Sequence, residues 1–133
     1  MELAPQDAAR IEKAAAQLFS EAAKDEGAFY ERSAYDADGG FFHYLLDDGS
    51  VYEREHRHLV SATRYVFNWS QAYRHGGAPR HRDWAAHALA HLQQAFCLPA
   101  GHPNAGLYAW TVRAGAVEDD RALAYGQAFV LLA

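Results

Sequence analysis

The chain has 133 residues, the usual span of one domain; half are hydrophobic and 14% aromatic, which excludes intrinsic disorder and supports a real core. A formal charge of −5 provides no basic footprint for nucleic acid or for an anionic membrane. No apolar run approaches the roughly 20 residues of a membrane span, so a soluble protein with no membrane partner is expected. The single cysteine, Cys97, cannot close an internal disulfide; it reads as a small core hydrophobe in a chain expected in a reducing cytoplasm. Glu2, Gln6 and Asp7 interrupt any apolar run at the N-terminus, so no signal peptide is expected.

A first helix is predicted over residues 5 to 25. Pro5 suits its first turn, its alanines favour helix, and Ile11, Ala15, Leu18 and Ala22 recur at helical spacing as a narrow packing face. Asp25 and Gly27 are expected to end it, with a short turn and a loop over 28 to 37. Asp48-Gly49 between two apolar runs is a strong hairpin signal, with Phe41 to Leu46 as the first arm and a short second arm.

The stretch Arg57 to Tyr73 is predicted as a helix with two unlike faces. At about 100° per residue, Leu59, Ala62, Val66, Trp69 and Tyr73 form a packing stripe. Opposite them run Arg57, Ser61, Arg64, Asn68 and Gln71, with Val60 and Phe67 flanking one edge and Tyr65 the other. Fixed polar donors between aromatic surfaces suit a neutral polyhydroxyl ligand. The same face also fits a partly exposed helix, or one packed against other polar groups.

His75 to Pro79 breaks the chain, and a third helix is predicted over 81 to 96, burying Trp84, Ala85, Ala88, Leu89, Leu92 and Phe96. A loop from Leu98 to Asn104 leads into a second glycine-interrupted apolar run, Gly106 to Val117, and a fourth helix over 119 to 133. Gly40, Phe42, Tyr44, Gly49 and Val51 match Gly106, Tyr108, Trp110, Gly115 and Val117 at a constant offset of 66 residues. The repeated unit therefore reads as hairpin, helix, loop, helix, as in an array of helical pairs that cover one another's apolar faces. The chain closes on the apolar run Phe129 to Ala133 without a cap or polar last turn, so an N-terminal piece of a longer protein, or burial against a partner, is expected.

Eight histidines raise the question of metal. His87 and His91 have the i, i+4 spacing that lets two imidazoles share zinc, but Ala-Leu-Ala lies between them without the glutamate of a metalloprotease helix, and no metal site is expected. His56 and His58 flank Arg57 at the entry to the polar helix, where they line a helix start and can reach a ligand. His43, His75, His81 and His102 are expected at the surface. Glu118, Asp119 and Asp120 are read as the capped, acidic start of the fourth helix.

Three motifs in order carry a family likeness: Asp38-Gly-Gly-Phe-Phe-His-Tyr-Leu-Leu-Asp-Asp-Gly-Ser-Val-Tyr52, Arg57-His-Leu-Val-Ser-Ala-Thr-Arg-Tyr-Val-Phe-Asn68, and Glu118-Asp-Asp-Arg-Ala-Leu-Ala-Tyr-Gly-Gln-Ala-Phe-Val-Leu-Leu-Ala133. Together they resemble the N-acylglucosamine 2-epimerase superfamily, nearest its mannose isomerase branch. The resemblance implies an all-α fold, an (α/α)6 barrel of which residues 1–133 form the N-terminal part of one domain, about the first four helices with short β-hairpin excursions. It implies cofactor-free proton transfer at C2 of an open-chain monosaccharide between two imidazoles, a role histidine fits because it titrates near working pH. In the family that histidine pair lies on later inner helices, so no catalytic residue is expected in this chain, which alone is expected to be inactive. Arg64 resembles the family's sugar-holding arginine, and Tyr125 and Gln127 fall in a pocket-lining motif, Gln127 standing where close relatives often carry histidine. Asn68 and His58 join these as expected substrate contacts through their places on the polar helix and at its entry. The competing expectation is a non-catalytic sugar-binding or interaction module completed as a homo-oligomer.

Overall fold

The computed structural model describes residues 4–133, and the side chains of all of these except residues 19 and 22–26. Residue 2 and the side chains of Ala22 and Asp25, used above, lie outside the described residues. Helix α1 spans Pro5–Ser33, with Pro5 in its first turn and the Ala34 N–H closing on the Tyr30 carbonyl. It runs past Gly27, where the sequence predicted an end, because its last turns find tertiary partners. The Tyr30 ring meets Tyr65 edge-on at 6.0 Å, and Glu31 takes hydrogen bonds from Arg80 at 2.7 Å and from His81 at 2.5 Å. Its predicted apolar face is not covered, since Ile11 and Leu18 are exposed.

After α1 the chain makes two short antiparallel ladders. Strand β1 (Tyr35–Asp36) pairs with β2 (Gly40–Phe41), and β3 (Tyr44–Leu45) pairs with β4 (Val51–Glu53) across the Asp48-Gly49 turn. The predicted first arm is thus divided between two ladders. Gly40 has φ +76°, and a Cβ there would lie 2.8 Å from His91 Nδ1, so only glycine fits. Strand β5 (His56–His58) then joins a third sheet, ordered β5–β6–β7, with β6 (Thr111–Arg113) and β7 (Ala116–Asp119). The β6–β7 turn has positive φ at both Ala114 and Gly115, the type I′ geometry that matches strand twist. The matched glycine pairs of the 66-residue repeat share their backbone geometry: Gly40 and Gly106, like Gly49 and Gly115, have positive φ.

Helix α2 (Leu59–Arg74) packs on α3 (Pro79–His91), which continues as a π-helical turn, Leu92–Phe96. The predicted stripe of α2 is buried at Leu59, Ala62, Val66 and Trp69, whereas Tyr73 is exposed; on α3 the exposed residue is Leu89. Leu59, Leu92 and Phe96 are fully buried, each such side chain contributing about 1.5–3 kcal/mol over its exposed form. Helix α4 (Ala124–Leu132) lies on α2. Glu118 and Asp119 belong to β7 rather than to the start of α4, whose N-cap is Leu123. They were expected to cap a helix but bind arginines instead, Glu118 Oε1 accepting from Arg113 at 2.7 Å and Asp119 Oδ2 from Arg121 at 2.6 Å.

No helix among the described residues is long and apolar enough to cross a membrane.

Candidate functional site

Strand β5 removes Arg57 from the polar line of α2. The sequence placed this arginine on the helix; pairing with Val112 turns it inward instead, where only 4% of it is exposed. Its guanidinium donates to Asp36 Oδ2 at 2.8 Å, to the Arg54 carbonyl at 2.6 Å and to the His56 carbonyl at 3.1 Å. Burial lowers its hold on the proton, and the neighbouring Asp36 carboxylate opposes that loss. Arg57 is therefore a structural cation that ties β1 to β5.

Of the rest of the polar line, Arg64 and Asn68 are exposed, and Ser61 and Gln71 are half-buried. Thr63, Arg64, Phe67 and Asn68 of α2 face Phe129 and Leu132 of α4 across a recess of about 240 Å³. The two helices approach closely because Gly126 has no side chain: a Cβ there would stand 2.7 Å from Leu59 Cδ2 and 3.1 Å from Trp110 Cζ3. The Arg64 guanidinium lies over the Phe129 ring, 5.7 Å from its centroid. Thr63 is buried and donates its hydroxyl to the Val60 carbonyl at 2.8 Å, so it shapes the floor without offering a free donor.

Of the five residues expected to hold substrate, Arg64 and Asn68 meet in this recess. Tyr125 is 61% exposed and touches Phe129 edge-on at 5.0 Å, which places it beside the recess. Gln127 is engaged elsewhere: its Oε1 accepts from the Tyr108 N–H at 3.0 Å and its Nε2 donates to the Tyr108 carbonyl at 2.8 Å, pinning the preceding loop to α4. His58 is the N-cap of α2, its Nδ1 accepting from the Val60 N–H at 3.2 Å while its ring meets Trp110 at 4.3 Å. Thr63, Phe129 and Leu132 are recess residues that site reasoning from the sequence did not single out. For Phe129 a signal existed, the i, i+4 spacing from Tyr125.

Of the four histidines expected at the surface, His75 is exposed, whereas His43 and His102 are half-buried and His81 is buried. His81 is buried, stacked on Trp69 at 5.3 Å and bonded to Glu31. His43 Nδ1 accepts the His58 N–H at 3.0 Å; burial, with the nearby charges of Arg57, His91, His58 and His56, drives its pKa from 6.5 down to about 3. The i, i+4 pair is divided between two duties: His87 Nε2 donates to the Asp36 carbonyl at 2.8 Å, while His91 packs against Gly40 and meets the Phe96 ring at 6.0 Å. His56 bridges Tyr44 Oη at 2.6 Å and Glu118 Oε2 at 3.2 Å, and His102 lies 3.1 Å from Asp120.

His43 predicts a pH effect. A histidine held neutral by the fold binds its proton more readily once unfolded, so stability is complete above the ordinary value of 6.5 and is lost as pH falls from there towards about 3. The slope from this one group approaches about 1.4 kcal/mol per pH unit. His43→Asn, which keeps an acceptor for the His58 N–H, is expected to flatten the fall in urea midpoint between pH 6.5 and 3; an unchanged slope would reject the assignment.

Four helices with short β-ladders before α2 and α4, and a recess between α2 and α4, match part of the fold of the (α/α)6-barrel isomerases and epimerases. The chain belongs to the N-acylglucosamine 2-epimerase family, whose profile matches residues 40–133. It is 41% identical over 106 residues to a D-mannose isomerase of Marinomonas mediterranea, covering 80% of this chain and 26% of that protein. It superposes on a crystal structure of D-mannose isomerase with a TM-score of 0.78 and 36% identity, over 87% of this chain and 29% of that one. For cellobiose 2-epimerase from Spirochaeta thermophila the values are 0.70 and 23%, over 86% and 29%, a likeness of fold alone. The chain thus spans about a quarter of the length of the curated relative it matches. These relatives are enzymes.

Proposed function

We propose that the complete protein is a sugar isomerase interconverting mannose and fructose, and that residues 1–133 supply one wall of its substrate pocket. The observation that carries this is the recess itself: Arg64 and Asn68 meet there between aromatic and apolar walls, a composition suited to a polyhydroxyl ligand. In this reading the open-chain sugar lies along α2, with Arg64 donating to its oxygens. A base takes the proton from C2, the electron pair moves to form the C1–C2 double bond of a cis-enediol as the C1 oxygen gains a proton, and return of a proton to C1 while the C2 hydroxyl gives up its own to form the C2 carbonyl gives the ketose. We assign that acid/base work to imidazoles outside residues 1–133. Supporting this, three histidines around the entry to α2 are engaged with other groups: His58 caps α2, His43 receives the His58 N–H, and His56 joins Tyr44 to Glu118. Metal and nucleotide have no part in the reading.

The test is conversion of D-mannose to D-fructose by the complete protein without added metal or nucleotide. Hydrogen bonds from a charged donor contribute about 1.5–3 kcal/mol each, so Arg64→Ala is expected to lower kcat/KM by about 10- to 100-fold. Unchanged kinetics in that variant would reject the assigned pocket.

A further inference from the structure

Two arginines seven positions apart are held differently. Arg57 is buried over the Phe42 ring at 4.9 Å and gives its terminal nitrogens to Asp36 and to two carbonyls; its Nε has no partner but is sealed in with them, so this side chain is not presented to a ligand. Arg64, among the described residues, makes no hydrogen bond and no ion pair; its contact is the Phe129 ring. A guanidinium carries its five N–H bonds in its own plane, directed outward from the rim. A carboxylate partner meets that rim and occupies donors, whereas an aromatic ring meets the flat face and leaves them free. The ring is itself fixed from behind, since Tyr125, one turn earlier on α4, contacts it edge-on at 5.0 Å and 62°. Gly126 lets α4 come close enough to α2 for this contact to form.

We propose that Phe129 is a positioning residue: its ring face holds the Arg64 guanidinium in the recess with its N–H rim free for the oxygens of a monosaccharide. This rests on the reading of the recess as a sugar site. The centroid distance of 5.7 Å is near the outer limit of about 6 Å for such contacts, so a modest effect is expected, about a two- to fivefold rise in KM with kcat preserved. Phe129→Leu keeps an apolar side chain but loses the ring face; Phe129→Tyr keeps both.

The experiment uses the complete protein in two arms. NMR of labelled arginine, assigned with Arg64→Lys, reads the upfield shift that a ring imposes on the Arg64 Cδ protons. The shift is expected in the unaltered protein and in Phe129→Tyr, and is expected to vanish in Phe129→Leu. Kinetics on D-mannose read the sugar contact: KM rises in Phe129→Leu and stays near its original value in Phe129→Tyr. A shift present with no turnover of sugar by the unaltered protein removes the sugar reading and leaves the ring's hold on Arg64 standing. A shift absent from the unaltered protein overturns the proposal even where Phe129→Leu fails to fold. So does a fall in kcat alone, or an unmoved KM in Phe129→Leu alongside an impaired Arg64→Ala.

Discussion

Asp36→Ala is expected to destabilise the protein by about 3 kcal/mol, read as a lower urea midpoint at unchanged slope. Arg57 is 4% exposed, and its carboxylate partner is Asp36 at 2.8 Å; removing the carboxylate leaves a buried cation facing an apolar methyl. The Arg54 and His56 carbonyls remain as acceptors, but they carry no compensating charge. The Asp36 side chain is 17% exposed, which sets the expected loss at the lower edge of the range for buried pairs. Asp36 Oδ1 also accepts the Asp38 N–H at 3.1 Å, so the β1–β2 turn loosens in the same variant. The double variant Asp36→Ala/Arg57→Met is expected to regain part of the loss, because it buries no unpaired charge. Equal midpoints for Asp36→Ala and the unaltered protein would show that the pair is not what orders β1 against β5.

Gly126→Val is expected to cost about 3 kcal/mol and to damage the recess as well. A Cβ at this position enters Leu59 at 2.7 Å and the Trp110 ring at 3.1 Å. Leu59 is fully buried in the core, so its methyl group has no room to retreat. The helix gains propensity from losing a glycine, by roughly 0.5–1 kcal/mol, which is smaller than the overpacking cost. Displacing α4 from α2 also parts Phe129 from Arg64, so kcat/KM is expected to fall with the urea midpoint. A midpoint at or above the original value would mean that the helices do not pack through this glycine.

What was legible in the sequence was carried by neighbours along the chain. The Asp48-Gly49 hairpin, the buried stripe Leu59, Ala62, Val66 and Trp69, and the glycines repeated 66 residues apart each follow from local backbone preference or helical periodicity. That Arg64 and Asn68 share one recess was legible for the same reason, since both lie on one face of one helix and that face stays open. Arg57, about two turns earlier on the same predicted line, was misplaced. Its strand exists because β6 offers Val112 as a ladder partner, and its charge is accommodated because Asp36, 21 residues away, is folded back onto it. Likewise α1 extends beyond Gly27 through Glu31, whose partner His81 is 50 residues distant.

The sequence by itself determined the family, the turns and the polar face of α2, because contiguous motifs and helical spacing encode these within a few residues of one another. Only the tertiary structure decided which arginine is structural and which stays free, that His81 is buried and His43 half-buried, and that Arg64 lies over the Phe129 ring. Those outcomes depend on desolvation and on pairing between segments far apart in the chain, which no local pattern specifies.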